Sequence, residues 1–239
     1  MEVRMIPAPG RLPPGRRIYA VGDVHGCSDR LLRLHARIAE HAATQPVETA
    51  VLIHLGDYVD RGPDTAGVLR QLIEARLSMH TVNLLGNHEQ MMLEAVRGGT
   101  PELFAQWLRN GGRAALESWD IPATVRPRTL KNLIPKDHLA FVGALALHYC
   151  DGDYVFVHAG LRPGRPLAAQ TREDLIWIRE PFLSWEGEYE AGVVVHGHTP
   201  KPEPVVKSNR IGIDTGAVLG GPLTCAVLEQ DRLGFLYET

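Results

Sequence analysis

Five times in this chain, a short apolar segment runs directly into residues of the kinds that bind metal ions. Short apolar segments bounded by glycine and polar residues predict buried β-strands. Because α/β sheets bind ligands at the carboxyl ends of their strands, the polar side chains at these junctions are predicted to share one site. The junctions are Gly22–Gly26, Gly56–Gly62, Gly86–Glu89, His158–Gly160 and His196–Thr199.

The first 90 residues alternate between strand and helix patterns. Strands predicted at 18–21, 50–55 and 81–85 are separated by two segments with apolar residues at helical spacing. This βαβαβ order predicts a parallel sheet covered on both faces, and it places the chain in the α/β (α+β) class.

The rest of the chain changes pattern twice. Residues 90–145 have a helical pattern without a strand, so we expect a helical insert that forms a cap beside the site. Beyond it, sequential short strands predict a second, largely antiparallel sheet. We expect a single domain over 17–239, preceded by a flexible leader over 1–16 that contains four prolines. The later strands are predicted at 146–149, 154–158, 193–196, 210–214, 223–229 and 234–238.

The composition argues against several classes of protein. The net charge of −3 gives no basis for binding nucleic acid or an anionic membrane, both of which require concentrated Lys and Arg. Cys27, Cys150 and Cys225 are widely spaced, which predicts neither a disulfide framework nor a thiolate zinc site. The chain has no signal-peptide pattern and no apolar segment long enough to span a membrane, so we expect a cytoplasmic protein. The oligomeric state is not predicted.

The polar residues at the junctions suit a centre of two divalent metal ions. Carboxylate and imidazole ligands without thiolates favour Mn²⁺, Fe²⁺ or Zn²⁺. Asp57 can bridge two ions about 3.5–4 Å apart, because a carboxylate has two oxygens. Two such ions would acidify a shared water molecule and neutralise phosphate oxygens, which is the chemistry of phosphoester hydrolysis. The candidate ligands are Asp23, His25, Asp57, Asn87, His158 and His196.

Three further residues are predicted to act on the substrate. His88 follows the candidate ligand Asn87, so it is expected at the rim of the cluster, where it could protonate a leaving alkoxide. Asp60 would accept the other ring N–H of His88 and fix its tautomer. Arg61 could hold two phosphate oxygens with its planar guanidinium. His198 is expected to hydrogen-bond near the site rather than to bind a metal ion.

The five junctions together resemble the signature motifs of the phosphoprotein phosphatase (PPP) branch of the calcineurin-like metallophosphoesterases. Four further segments, the first of which is Gln90–Met92, extend the resemblance to small bacterial and phage-lambda-type serine/threonine protein phosphatases, over roughly residues 18 to 228. The other three follow it along the chain. These segments are Trp107–Gly112, Ile176–Glu180 and Ile213–Ala217. The resemblance implies a four-layer α/β/β/α sandwich with a dimetal centre at the strand ends.

The resemblance also implies roles for individual residues. The first ion would be bound by Asp23, His25 and Asp57, and the second by Asp57, Asn87, His158 and His196. His88 would be the general acid paired with Asp60, while Arg61, Arg179 and Asn87 would contact the substrate phosphate. The implied metal is Mn²⁺, and the implied reaction is attack of a metal-bridging hydroxide on a phosphoprotein or a small phosphoester. Ile178 departs from the pattern, because a polar residue stands there in the lambda-type enzyme.

Two other functions remain as alternatives. Symmetrical bis(5'-nucleosyl)-tetraphosphatases are similar in the same motifs, but they carry Asp at the position of Glu89. A non-catalytic scaffold of the same fold is the second alternative. Against it, every position expected to carry a ligand or the general acid is filled in this chain.

Overall fold

The computed structural model of the protein describes residues 3–74, 79–98 and 100–239. The strands are β1 (Ile6–Pro7), β2 (Arg16–Val21), β3 (Thr49–His54), β4 (His80–Asn83), β5 (His148–Asp151), β6 (Tyr154–Val157), β7 (Val193–His196), β8 (Val205–Val206), β9 (Arg210–Gly212), β10 (Leu223–Glu229) and β11 (Arg232–Glu238). The helices are α1 (Ser28–Thr44), α2 (Thr65–Glu74), α3 (Asn87–Gly98), α4 (Pro101–Trp107), α5 (Arg113–Ser118), α6 (Leu130–Leu133), α7 (Lys136–Gly143) and α8 (Arg172–Trp177). Among the described residues, no helix is long and apolar enough to cross a bilayer.

The first sheet has the strand order β1-β11-β10-β2-β3-β4. Strands β2, β3 and β4 are parallel, as predicted for the first 90 residues. Strand β10 adds to the other edge of β2 in the antiparallel direction, and β11 and β1 continue the sheet beyond it. The last two long strands of the chain therefore belong to the first sheet rather than to a second one.

The second sheet has the order β5-β6-β7-β9-β8, and the prediction that it is largely antiparallel is wrong. Only the outer pairs, β5 with β6 and β8 with β9, are antiparallel. The central strands β6, β7 and β9 are parallel. The physical reason is the long connection from β6 to β7 through α8, since a parallel pair needs such a crossover and a tight turn cannot supply it.

Alternation of side chains along the strands builds the four layers that the resemblance implied. One face of the first sheet packs against helices α1 to α7, and its other face packs against the second sheet. The outer face of the second sheet is covered by α8 and the segment after it. Strands buried on both faces need nearly continuous apolar sequences, which explains the apolar segments seen in the sequence. The residues between the sheets include Ile18, Ile53, Phe156, Val195 and Ile211.

The described part of the N-terminal segment, from residue 3 onward, packs onto the domain, whereas the sequence predicts a flexible leader over 1–16. Ile6–Pro7 pairs with β11 at the edge of the first sheet, and Leu12 is 1% exposed among the residues between the sheets. The carbonyl of Gly10 accepts a hydrogen bond from the Tyr154 hydroxyl at 2.7 Å. The prolines allow this extended path, because they suit an edge strand and a turn as well as a disordered segment.

The segment 90–145 contains α3 to α7, and no strand lies in its described part, residues 90–98 and 100–145. Thr100 caps α4 by accepting a hydrogen bond from the Leu103 N–H. Helices α4 and α5 are joined by a kinked turn, Leu108–Gly112, in which Gly111 has φ of 111°. This kink lies beside the loop that follows β3, because the carbonyl of Gly111 accepts the N–H of Arg61 at 3.1 Å.

A buried pair of histidines makes the fold sensitive to acid. The Nε2 atoms of His35 and His54 are 2.8 Å apart, and His54 Nδ1 is 2.8 Å from Asn83 Oδ1. Burial lowers the pKa of His35 to about 4 and that of His54 to about 3. Both rings are therefore neutral in the folded protein at pH values at which they are charged in the unfolded chain.

We expect His35→Gln to weaken the loss of stability on acidification. The unfolded chain binds a proton at this histidine near pH 6.5, and the folded chain does so only near pH 4, so stability present above pH 6.5 is lost as the pH falls. Gln cannot bind this proton. Between pH 7.5 and 5.5, the unfolding free energy of His35→Gln should therefore fall by about 1 kcal/mol less than that of the unchanged protein, as measured by urea unfolding. The same substitution at the exposed His148 is the control, and an unchanged fall in the His35 variant would contradict the expectation.

Candidate active site

The loops after four strands bring the predicted site residues to one edge of the two sheets. Asp23 and His25 follow β2, Asp57 follows β3, and His158 follows β6. Asn87 and His88 begin α3, directly after the loop that leaves β4. These side chains are less than 5% exposed, so the cluster lies below the surface.

Asp57 lies at the centre of the cluster, between two imidazole rings. Its Oδ1 atom is 3.4 Å from His158 Nε2, and its Oδ2 atom is 3.4 Å from His25 Nε2. Each ring places its other nitrogen 2.9 Å from a backbone carbonyl, that of Leu55 for His158 and that of Val59 for His25. A carbonyl oxygen only accepts hydrogen bonds, so each Nδ1 carries the proton and each Nε2 presents a lone pair.

This arrangement fits divalent cations on both sides of Asp57. Burial lowers the pKa of both rings, that of His25 to about 3, so they are neutral and keep the Nε2 lone pair. Two lone pairs facing the two oxygens of one carboxylate are satisfied when a cation lies beside each oxygen. Burial raises the pKa of Asp57, but the positive charges that His158, His88 and His25 carry at low pH outweigh it and hold that pKa below its usual range.

The structure brings His198 into the cluster instead of His196, which corrects the predicted ligand set. The ligand atoms of Asp57, His158 and His198 lie within 4.8 Å of one another. Nε2 of His198 is buried and has no hydrogen-bond partner among the described residues. Burial lowers the pKa of His198 to about 2, so this ring too is neutral and offers a lone pair.

His196 faces away from the cluster because it continues the alternation of β7. Like Val194, it points to the outer face of the second sheet, where its ring packs on Phe182 with centroids 4.8 Å apart. There it lines a cavity of about 290 Å³ whose wall also includes Asp214. His198 comes after the strand, and its left-handed backbone, with φ of 65°, turns it into the site. A pattern of strand ends cannot distinguish these two histidines, since it does not give the face to which each one points.

The carboxylates of Asp23 and Asp214 complete this side of the site. Asp23 accepts the backbone N–H of His198 at 3.0 Å and lies within electrostatic reach of Asp214, a residue to which the sequence analysis gave no role. Burial raises the pKa of Asp23, and the charges of Asp214 and Asp57 raise it further. Three buried carboxylates at close range favour bound cations, which remove their mutual repulsion. Asp214 lies in the segment Ile213–Ala217, which the sequence analysis noted only as part of the resemblance.

His88 and Asp60 form the hydrogen-bonded pair that the sequence analysis predicted. His88 Nδ1 is 2.8 Å from Asp60 Oδ2, and both side chains are buried. Burial alone would lower the pKa of His88, but the carboxylates of Asp57 and Asp60 raise it above the usual value for histidine. A third residue, Trp107 of α4, donates its indole N–H to Asp60 at 2.9 Å, a contact that the sequence analysis missed.

The two predicted phosphate-binding arginines lie at the site. Arg61 Nη1 is 2.8 Å from His25 Nε2, so the guanidinium now donates to the lone pair that a metal ion would use. Arg179 is exposed, and its Nη2 atom is 3.4 Å from the carbonyl oxygen of His198. The two guanidinium groups therefore lie beside different members of the cluster, Arg61 at His25 and Arg179 at His198.

Glu89 holds the loop that carries Asp57 in its unusual conformation. Three residues of this loop have left-handed backbones, with φ of 52° at Asp57, 72° at Asp60 and 66° at Arg61. The buried carboxylate of Glu89 accepts four backbone N–H groups, from the loop and from the turn before α3. These are the N–H groups of Asp57 at 2.9 Å, Tyr58 at 2.7 Å, Val59 at 3.0 Å and Gly86 at 3.0 Å.

We expect His198→Ala to remove one bound metal ion and His196→Ala to remove none. The ligand atom of His198 lies beside those of Asp57 and His158, whereas the ring of His196 packs on Phe182 at the outer face of the second sheet. Metal content after loading with Mn²⁺ and desalting, measured by mass spectrometry, distinguishes the two variants. Loss of metal from the His196 variant alone would restore the ligand set predicted from the sequence.

Comparisons with known proteins agree with this geometry. The sequence profile of the calcineurin-like phosphoesterases matches residues 16–230. Serine/threonine-protein phosphatase 1 of Salmonella typhimurium is 32% identical over 220 residues, which are 90% of this chain and 93% of that protein. A symmetrical bis(5'-nucleosyl)-tetraphosphatase of an Acidovorax species is 33% identical over 174 residues, 73% of this chain but only 50% of that protein.

Solved structures share the fold. A cold-active protein tyrosine phosphatase aligns with a TM-score of 0.64 at 20% identity, over 95% of this chain and 81% of its own. At this identity the likeness concerns the fold alone. The length of the profile match and the similarity to the Salmonella protein confirm the resemblance seen in the motifs: the chain belongs to the calcineurin-like phosphoesterase family.

Proposed function

We propose that the protein is a dimetal phosphomonoesterase that removes phosphate from phosphoserine and phosphothreonine in proteins and also accepts small phosphoesters. The observation that carries this proposal is the His88–Asp60 pair beside the carboxylate–imidazole cluster. The ligand atoms of His25, Asp57 and His88 lie within 4.8 Å of one another. A proton donor is thus close to the position where a phosphoester would meet the metal ions.

We assign two ions to the cluster, with Mn²⁺ as the proposed metal and Fe²⁺ or Zn²⁺ as substitutes. Asp23, His25 and Asp57 would hold one ion, and Asp57, Asn87, His158 and His198 would hold the other. Asn87 fits this role because its Oδ1 atom is 3.0 Å from His158 Nε2, on the side of the ring that presents the lone pair. When bound, such ions acidify a water molecule and neutralise charge on the phosphate.

The side chains of the site supply the remaining steps. Arg61 and Arg179 hold phosphate oxygens, and Arg61 would be free to do so if His25 bound a metal ion through the Nε2 atom that Arg61 now contacts. Water oxygen forms the new bond to phosphorus as the ester P–O bond breaks, and the leaving oxygen keeps the bonding electrons. His88 gives that oxygen the proton of Nε2. The proton on His88 Nδ1 stays there, hydrogen-bonded to Asp60.

The protein substrate is the finer part of the proposal. Relatives of this chain carry the names of both protein phosphatases and bis(5'-nucleosyl)-tetraphosphatases. In favour of a phosphoprotein, the similarity to the Salmonella phosphatase extends over nearly the whole of both chains. Glu89, in the position where the tetraphosphatases carry Asp, favours it too. Tetraphosphate hydrolysis remains the second candidate, because a relative of that name is 33% identical.

We also propose a location and a role for the helical insert. A reducing compartment such as the cytoplasm suits the three cysteines, which are free thiols. Segment 90–145 would select the substrate, since it adjoins the loop of Arg61 through the Gly111 carbonyl.

We expect Mn²⁺-dependent release of phosphate from phosphoserine and phosphothreonine peptides, and much slower hydrolysis of diadenosine tetraphosphate. Asp57→Asn is the control, because it removes one charge from the centre of the cluster and should abolish activity on every substrate. Activity confined to the dinucleotide would move the assignment to the second candidate. A metal-loaded protein without activity on any phosphoester would favour a scaffold.

We expect His88→Asn to lower kcat on phosphoserine peptides by about 10²–10⁴, the range for loss of a general acid. The leaving alkoxide needs a proton, and Asn at this position cannot supply one. Metal content should stay the same, which separates this effect from loss of a ligand. Unchanged turnover in the metal-loaded variant would exclude the role of His88.

A further inference from the structure

Trp107 is the second donor to the carboxylate that orients the general acid. Its Nε1 atom lies 2.9 Å from Asp60 Oδ1 and 3.1 Å from Asp60 Oδ2, so one N–H is shared by both oxygens. His88 Nδ1 donates to Oδ2 alone, at 2.8 Å. The backbone N–H of Asp60 donates to Thr65 Oγ1 and places no restraint on the carboxylate plane.

The indole is fixed in place. Trp107 is 0% exposed, and its ring packs against Phe104 with centroids 6.2 Å apart. Gly112 lies so close to the indole that an added Cβ atom would be 2.6 Å from its ring. Because the ring is fully buried and in contact with Phe104 and Gly112, the direction of the Nε1–H bond is set by the helical segment.

A carboxylate held by one hydrogen bond still rotates about the bond to its Cβ atom. A second donor that contacts both oxygens fixes the plane, and with it the direction in which His88 Nδ1 must point. The opposite ring nitrogen of His88 is the one that must reach the leaving oxygen. A small rotation of Asp60 therefore displaces the proton from the line of transfer.

We propose that Trp107 is a positioning residue for the general acid: its indole N–H holds Asp60 so that His88 delivers its proton to the leaving oxygen. The inference rests on the proposed phosphoesterase reaction. It gives the helical segment a part in catalysis, in addition to the substrate selection proposed for it. Trp107 itself does not touch the substrate.

A purely structural role for Trp107 makes a different prediction. If the indole only joined the helical segment to the loop after β3, its loss would slow every substrate alike. A positioning role affects only substrates that need a proton on the leaving group. Phosphoserine peptides release an alkoxide and need that proton, whereas 2,4-dinitrophenyl phosphate releases an acidic phenol that departs as the anion.

The test compares Trp107→Phe with Trp119→Phe. Phenylalanine keeps an aromatic ring at position 107 but has no N–H. Trp119 lies in the same helical segment and donates its indole N–H to His138 at 3.1 Å, so its replacement is a matched control. We expect kcat of Trp107→Phe on phosphoserine peptides to fall by roughly tenfold or more, with a change below about threefold on 2,4-dinitrophenyl phosphate. Trp119→Phe should change neither value by more than about threefold.

Two further variants protect the test against a folding defect. Gly112→Ala keeps the indole N–H in the protein but places a Cβ atom 2.6 Å from the ring, so the ring must shift from its contact with Asp60, and the variant should show the same selective loss. In Asp60→Asn, the additional change Trp107→Phe should cost nothing more on phosphoserine peptides, because Trp107 acts through Asp60.

Equal losses on both substrates in Trp107→Phe and Gly112→Ala would overturn the positioning role and leave the phosphoesterase assignment intact. Additive losses in the double variant would overturn it as well. An unchanged protein that hydrolyses neither substrate would overturn the proposed function, and the inference with it.

Discussion

One buried carboxylate, that of Glu89, fixes the loop on which the whole site depends. Residues with left-handed backbones such as Asp57, Asp60 and Arg61 store roughly 1 kcal/mol of strain each, and the surrounding structure must hold them there. Glu89 holds the start of the loop by accepting four backbone N–H groups, those of Asp57, Tyr58 and Val59 and that of Gly86. Since Glu89 follows Asn87 and His88, one turn of α3 supplies a candidate ligand, the candidate acid and the support of the loop.

The strand-end pattern predicted much of the site because parallel strands have their carboxyl ends at the same edge of a sheet. Residues that follow such strands therefore lie close together. It identified Asp23, His25, Asp57 and His158, which the structure brings together below the surface. It could not identify the face to which a residue points. The choice of His196 over His198 was wrong for that reason, since the two differ in the alternation of β7 and in one left-handed residue.

Contacts between distant parts of the chain were beyond the reach of the sequence. Trp107 meets Asp60 across 47 positions, and Asp214 meets Asp23 from the far end of the chain. The order of the strands within each sheet could not be predicted for the same reason. The final hairpin returns to pair with β2, and β6 and β7 become parallel through a long crossover, although short neighbouring strands favour antiparallel pairs. Local sequence patterns do not indicate which distant strands will pair.

The donor to Asp60 comes from outside the five strand-end motifs, and this has a consequence for protein design. Grafting those motifs onto another two-sheet sandwich would transfer the candidate metal ligands together with His88 and Asp60. The recipient would still lack the indole N–H that fixes the carboxylate plane and the glycine that gives the indole its place. A graft of this kind would reproduce the candidate metal ligands, but it would not fix the direction in which His88 donates its proton. A designer would have to transplant Trp107–Gly112 as well, as a sixth motif that no inspection of strand ends would reveal.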